Sequence, residues 1–100
     1  MDKRLKKRDH ALDIEFRDAF YKGLNSGEFS LGEAVRRMQK ISKLTQPEFA
    51  AHRGISVQAL RQIQGDTGNP TVETLNKIAS IFGLEVGFVP RRRRNESASR

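Results

Sequence analysis

A chain of 100 residues is expected to hold one small domain with a single core, which excludes an active-site cleft between domains. It has no cysteine, so disulfides and thiolate zinc sites are out and a reducing cytoplasm suits it. The formal charge of +7 points to an anionic partner, while no apolar run approaches the roughly 20 residues that span a bilayer, so the expected location is cytoplasmic, without a membrane role.

Residues 1–8 read as a basic flexible arm, because Lys3, Arg4, Lys6, Lys7 and Arg8 surround Leu5 as its apolar anchor. Such an N-terminus is also too charged for a signal peptide. From 9 to 29 the pattern turns helical: Leu12, Phe16, Ala19, Phe20 and Leu24 recur at helical spacing until Asn25-Ser26-Gly27 breaks the run. This extra N-terminal helix carries five acidic residues against two basic ones. Its apolar face is expected to pack on the domain or on a second copy, with docking of a protein partner as the sharper reading.

The span 30–83 reads as the main domain. Ser30 and Glu33 form a capping-box pattern ahead of the stripe Leu31, Ala34, Val35, Met38 and Ile41, with Arg36, Arg37, Lys40 and Lys43 off that stripe and one or two of them placed to meet phosphate. Thr45 caps a second short helix that tolerates Pro47 in its first turn and stops at Gly54. Ser56 caps a third that runs to Gly65, and Ala50, Ile55, Leu60 and Ile63 fall where the two short helices cross. After the turn-rich Asp66-Thr67-Gly68-Asn69-Pro70, Thr71 opens a last helix with Val72, Leu75, Ile78, Ala79 and Phe82 inward, ended by Gly83.

Residues 84–90 have a period of two, Leu84, Val86 and Phe88 alternating with Glu85 and Gly87. With no second strand in the chain, the expected partner is the same strand of another copy, which makes these three residues the dimerisation contacts. Residues 91–100 read as a basic disordered tail. The two basic ends leave nine basic and ten acidic residues between Asp9 and Pro90, so the body is nearly neutral. Within it Leu31–Pro70 has six basic residues against three acidic ones, the composition of a basic reading head.

Thr45-Gln46, Ala50, Gly54-Ile55-Ser56, Leu60 and Gly68-Asn69-Pro70-Thr71 together resemble the Cro/repressor-type, or Xre, helix-turn-helix family. The resemblance covers roughly residues 30 to 83. One departure is that Ile63-Gln64-Gly65-Asp66 stands where that family commonly has an aromatic-Glu pair. The implied architecture is all-α: a five-helix Cro/repressor-like helix-turn-helix domain with an extra N-terminal helix and one C-terminal strand pairing across a dimer. A shorter similarity, over Gly83 to Pro90, is to the HipB-type antitoxins of toxin-antitoxin systems.

These resemblances imply a dimeric repressor of a palindromic double-stranded DNA operator, and, for the HipB-like tail, an antitoxin that represses its own promoter and binds a kinase-type toxin of the HipA kind. The helix after Ser56 would lie in the major groove. Arg61 then suits guanine, Gln58 and Gln62 suit adenine or a water-mediated contact, Val57 a thymine methyl, and Ser56 stands at the helix start. Thr45 and Gln46 resemble the family's phosphate-contacting pair. Alternatives are a module that inhibits a partner through the N-terminal helix, or a stand-alone or phage-type regulator. Catalysis is not expected: His10 and His52 are the only imidazoles, Asp13 and Glu15 lie on different helix faces, and no spacing suits a metal, a cofactor or a nucleophile-base pair.

Overall fold

The computed structural model describes residues 3–90, with side chains described from His10 onward. It is all-helical, with five α-helices, the N-terminal one included, and no strand among the described residues. None of these helices is long and apolar enough to cross a membrane. The chain divides after Pro70 into two units.

The first unit holds four helices. Helix α1 spans Lys3–Ser26 and thus begins inside the stretch expected to be a flexible arm. Lys, Arg and Leu are good helix formers, so intrinsic propensity extends the helix upstream of its apolar stripe. The basic tail expected at 91–100 lies outside the described residues. Gly27, at φ 72°, ends α1, and the N–H of Glu28 returns to the carbonyl of Gly23 at 3.0 Å. Phe20 is fully buried, with the Phe29 ring stacked parallel at 6.2 Å and Tyr21 edge-on at 5.1 Å. Gly23 makes that stack possible: a Cβ there would stand 2.3 Å from Phe29 Cζ.

Helix α2, Leu31–Ser42, packs on α1 and on the two helices that follow it. Ala34, Val35 and Met38 are buried, whereas Leu31, at the first position of the helix, is 47 % exposed because the stripe runs out at the helix end. The capping box at Ser30 is half realised. The Ser30 hydroxyl accepts from the Glu33 N–H, but the Glu33 carboxylate turns to Arg37, one helical turn on, at 3.1 Å. The complete box is in α3, Gln46–Arg53: Thr45 Oγ1 accepts from Glu48 N–H while Glu48 Oε1 accepts from Thr45 N–H. Gly54 then takes the left-handed conformation at φ 70°, and Ser56 caps α4, Val57–Gln64, through the N–H of Ala59. Phe49, Ala50, Leu60 and Ile63 close the core of this unit.

In the second unit Thr71 caps α5, Val72–Ala79, which buries Ile78 and Ala79 and leaves its first residue, Val72, exposed. A 3-10 turn, Ser80–Phe82, stops at Gly83. The strand expected over Leu84, Val86 and Phe88 is not formed within the chain, since a lone segment has no ladder to join. Instead the N–H of Val86 donates to Asn76 Oδ1 at 2.9 Å, and Val89 and Phe88 stay exposed.

Candidate nucleic-acid interface

Helices α3 and α4, joined by the tight turn Gly54-Ile55-Ser56, form a helix-turn-helix. The turn is closed by the N–H of Ile55 on the carbonyl of Ala50 at 3.0 Å. The apolar side of α4, Leu60 and Ile63, faces inward, and Ser56, Gln58, Arg61 and Gln62 are exposed, with Val57 half-buried. The seven residues singled out on the sequence therefore occupy one helix-turn-helix, but their polar groups are not equally available.

Thr45 and Ser56 each spend a hydroxyl lone pair on a helix cap. The Gln62 amide lies over Gly68, where an added Cβ would meet Gln62 Oε1 at 3.0 Å. The Gln62 carbonyl holds the same loop through Thr67 N–H at 2.8 Å. Gln58 is exposed. Arg61 donates from Nε to Gln46 Oε1 at 3.2 Å, so the side chains expected to meet base and phosphate are bonded to each other.

The basic reading head read from composition resolves differently in three dimensions. Arg36 donates to the carbonyl of Gln64. Arg37 pairs with Glu33 and lies 4.3 Å from the Phe29 ring centroid, and Lys40 sits 5.2 Å over Phe16. Lys43 pairs with Asp13 at 2.7 Å. Arg53 is buried, its guanidinium 4.3 Å over Phe49, and burial holds it below its ordinary pKa. Five of the six cations between Leu31 and Pro70 thus hold helices together, and Arg61 is the one on the outward side of α4. The cations off the α2 stripe, expected to offer one or two phosphate contacts, mainly seat α1 and α4.

Sequence reading gave Gln39 no role and named Gln64 and Asp66 only within the departure from the family pattern and the turn that follows. Gln64 is buried, yet its Nε2 donates to Gln39 Oε1 at 2.8 Å and its Oε1 accepts from Gln46 Nε2 at 2.7 Å. The signal was there: Gln64 follows Leu60 and Ile63, and Gln39 follows Val35 and Met38, at the same i, i+3, i+4 offsets, so both amides sit on apolar stripes. Asp66 adopts φ 58° and accepts from Gly32 N–H and Ser30 Oγ, both at 2.8 Å. The Gly32 and Ser30 donors, and more weakly the Arg36 charge, hold its carboxyl below the usual carboxylate range. Asp66 thereby caps α2 from the loop that follows α4. Within the run Ile63-Gln64-Gly65-Asp66, Asp66 takes up the left-handed position while Gly65 stays at φ −93°.

Over 60 residues the chain is 30% identical to the immunity repressor protein of Bacillus phage phi105. The alignment takes in 60% of this chain and 42% of that one, so the chain spans less than half the length of the curated relative it matches. No protein-family model and no solved structure matches it.

Proposed function

We propose that the chain is a sequence-specific, non-enzymatic DNA-binding transcriptional repressor of the phage type. The observation that carries this reading is the exposed face of α4, where Arg61 is presented between Gln58 and Gln62 above an apolar contact with α3. A helix offered this way enters a major groove, and the N-terminus of α3, with Thr45 and Gln46, then meets the phosphates beside it. The phage relative supports repression as the outcome of binding. Because most cations of the folded body are engaged in packing, non-specific phosphate attraction falls to the two basic ends of the sequence.

A homodimer is part of the proposal. Leu84, Val86 and Phe88 alternate, Phe88 is fully exposed, and the segment has no ladder among the described residues, so a second copy of it is the fitting partner. Two copies would read a palindromic operator. The antitoxin reading, with a HipA-type toxin as partner, rests on the run Gly83 to Pro90 alone and is the weaker of the two. Selection of duplexes from a random pool by the purified protein tests the main proposal. A two-fold symmetric consensus is expected, and a pool that converges on no sequence would overturn it. An adjacent kinase-type toxin gene would favour the antitoxin reading.

A further inference from the structure

We propose that Gln39 and Gln64 are positioning residues for Arg61, acting through Gln46 as a directional chain of side-chain amides; this rests on the DNA-reading function proposed above. The chain is anchored at the connection between α2 and α3. There the carbonyl of Leu44 accepts from Gln39 Nε2 at 3.0 Å. A carbonyl only accepts, so the Gln39 amide has one allowed orientation, with Oε1 turned to Gln64. That oxygen accepts from Gln64 Nε2 at 2.8 Å, which turns Gln64 Oε1 to Gln46. Gln64 Oε1 accepts from Gln46 Nε2 at 2.7 Å, and Gln46 is left with Oε1 facing Arg61, whose Nε donates to it at 3.2 Å.

Each amide dictates the next, and the orientation set at a backbone carbonyl reaches the guanidinium three side chains away. The result at Arg61 is specific. With Nε committed, the two terminal nitrogens stay available as a parallel pair, the geometry that suits O6 and N7 of guanine. Were Gln46 reversed, its NH2 would face Arg61 and donor would oppose donor. The buried Gln64 prevents reversal, because turning it would set its oxygen against that of Gln39.

The test compares wild type with Gln39→Met and Gln39→Glu. Met removes both amide functions. Glu cannot donate to Leu44 but still accepts from Gln64, so it preserves the direction of everything downstream. Gln39 is half-buried, and amide spectra establish that each variant is folded; should Met not fold, Gln39→Ala removes the same acceptor. In the free protein, the Arg61 Nε proton should exchange several-fold more slowly in wild type and Gln39→Glu than in Gln39→Met.

On DNA, the probe is the duplex selected by the wild-type protein, paired with the same duplex carrying A·T at the guanine whose effect Arg61→Ala abolishes. Wild type should discriminate between the two by roughly tenfold or more. Gln39→Met should lose most of that ratio with unchanged affinity for a scrambled duplex, and Gln39→Glu should keep it. Equal Nε exchange in all three proteins would overturn the relay whatever the DNA result. Equal weakening on selected and scrambled duplexes would reduce Gln39 to a structural residue. A pool without any preferred duplex would instead end the DNA-reading role itself, and slow Nε exchange would then survive as a purely structural finding.

Discussion

Asp66 Oδ1 accepts the backbone N–H of Gly32 at 2.8 Å, tying the loop after α4 to the first turn of α2. The contact requires glycine at 32, since a Cβ there would lie 2.6 Å from the carbonyl oxygen of Gln64 and 2.7 Å from Asp66 Oδ2. Both obstacles are fixed, one being backbone and the other a capping carboxylate. Gly32→Ala is therefore expected to lower stability by about 1 to 3 kcal/mol despite alanine's better helix propensity. Urea denaturation measures it, and an unchanged or raised midpoint would contradict the fit.

The same carboxylate gives the fold an acid limb. Asp66 and Glu48 both sit below their ordinary pKa values in the folded chain, Asp66 through Gly32 and Ser30, Glu48 through the N–H and then the hydroxyl of Thr45. The native state then binds fewer protons than the unfolded state as pH passes through this range, so stability rises with pH there. Their contribution is present above the unfolded carboxylate value, near 4, and is lost as pH falls through the lower folded values. Thermal midpoints recorded from neutral pH down to about pH 2 should fall, and Asp66→Asn should make the fall shallower while lowering the neutral midpoint. An identical acid slope in the variant would remove Asp66 from the account.

Gly23 poses a second packing test, with the sign set by two competing terms. Alanine within a helix gains up to roughly 0.5 to 1 kcal/mol over glycine, although Gly23 stands in the last turn of α1. Its Cβ would nonetheless fall 2.3 Å from Cζ and 2.5 Å from Cε2 of Phe29, whose ring is stacked on Phe20 and lies under Arg37. Displacing that ring opens the contact between α1 and α2, so a net loss of about 1 to 2 kcal/mol is expected by chemical denaturation. A gain in stability would mean that Phe29 moves aside freely.

What could be read from the sequence was what depends on neighbours along the chain. The caps at Ser30, Thr45, Ser56 and Thr71, the left-handed stop at Gly54, and the apolar stripes of α2 and α4 are all set by offsets of three or four residues. Less legible was anything that needed two distant segments. The acceptor for Gly32 lies 34 residues away, and the anchor of Arg61 runs through Gln46, Gln64 and Gln39 on three helices. Composition misled in one respect. A surplus of cations over Leu31–Pro70 suggested a DNA-facing patch, but Arg36, Arg37, Lys40, Lys43 and Arg53 are held by carbonyls, carboxylates and aromatic faces whose positions a linear pattern does not contain.

Arg61→Ala is expected to weaken binding to the selected duplex by about 1 to 3 kcal/mol and to leave the thermal midpoint nearly unchanged, because an exposed arginine serves recognition and not the core. Its bond to Gln46 is itself at the surface end of the amide chain. Equal losses on selected and random duplexes would make Arg61 a phosphate contact. Fluorescence anisotropy at fixed salt distinguishes the two.

The remaining prediction concerns Leu84 to Val89. The first part of this run is held locally, by Leu84 N–H on the carbonyl of Ala79 at 3.1 Å and by Val86 N–H on Asn76. Beyond Val86 the side chains of Phe88 and Val89 are exposed, and an aromatic ring left in water is an unfavourable arrangement that a second copy would relieve. A two-stranded ribbon across a two-fold axis would also supply the backbone partners that the segment lacks as a strand. A chain ending at Gly83 retains every helix of the described residues, so it should fold, become largely monomeric, and lose most of its affinity for a two-fold operator, since each copy then binds one half-site alone. Sedimentation of the shortened protein at micromolar concentration decides the first point. Phe88→Asp repeats the test in a full-length chain, where a charge at the proposed ribbon should also shift the equilibrium to monomer. If both variants sediment as dimers, the contact between copies lies elsewhere, and the exposed apolar side chains of α1, Leu12 and Ile14, become the places to look.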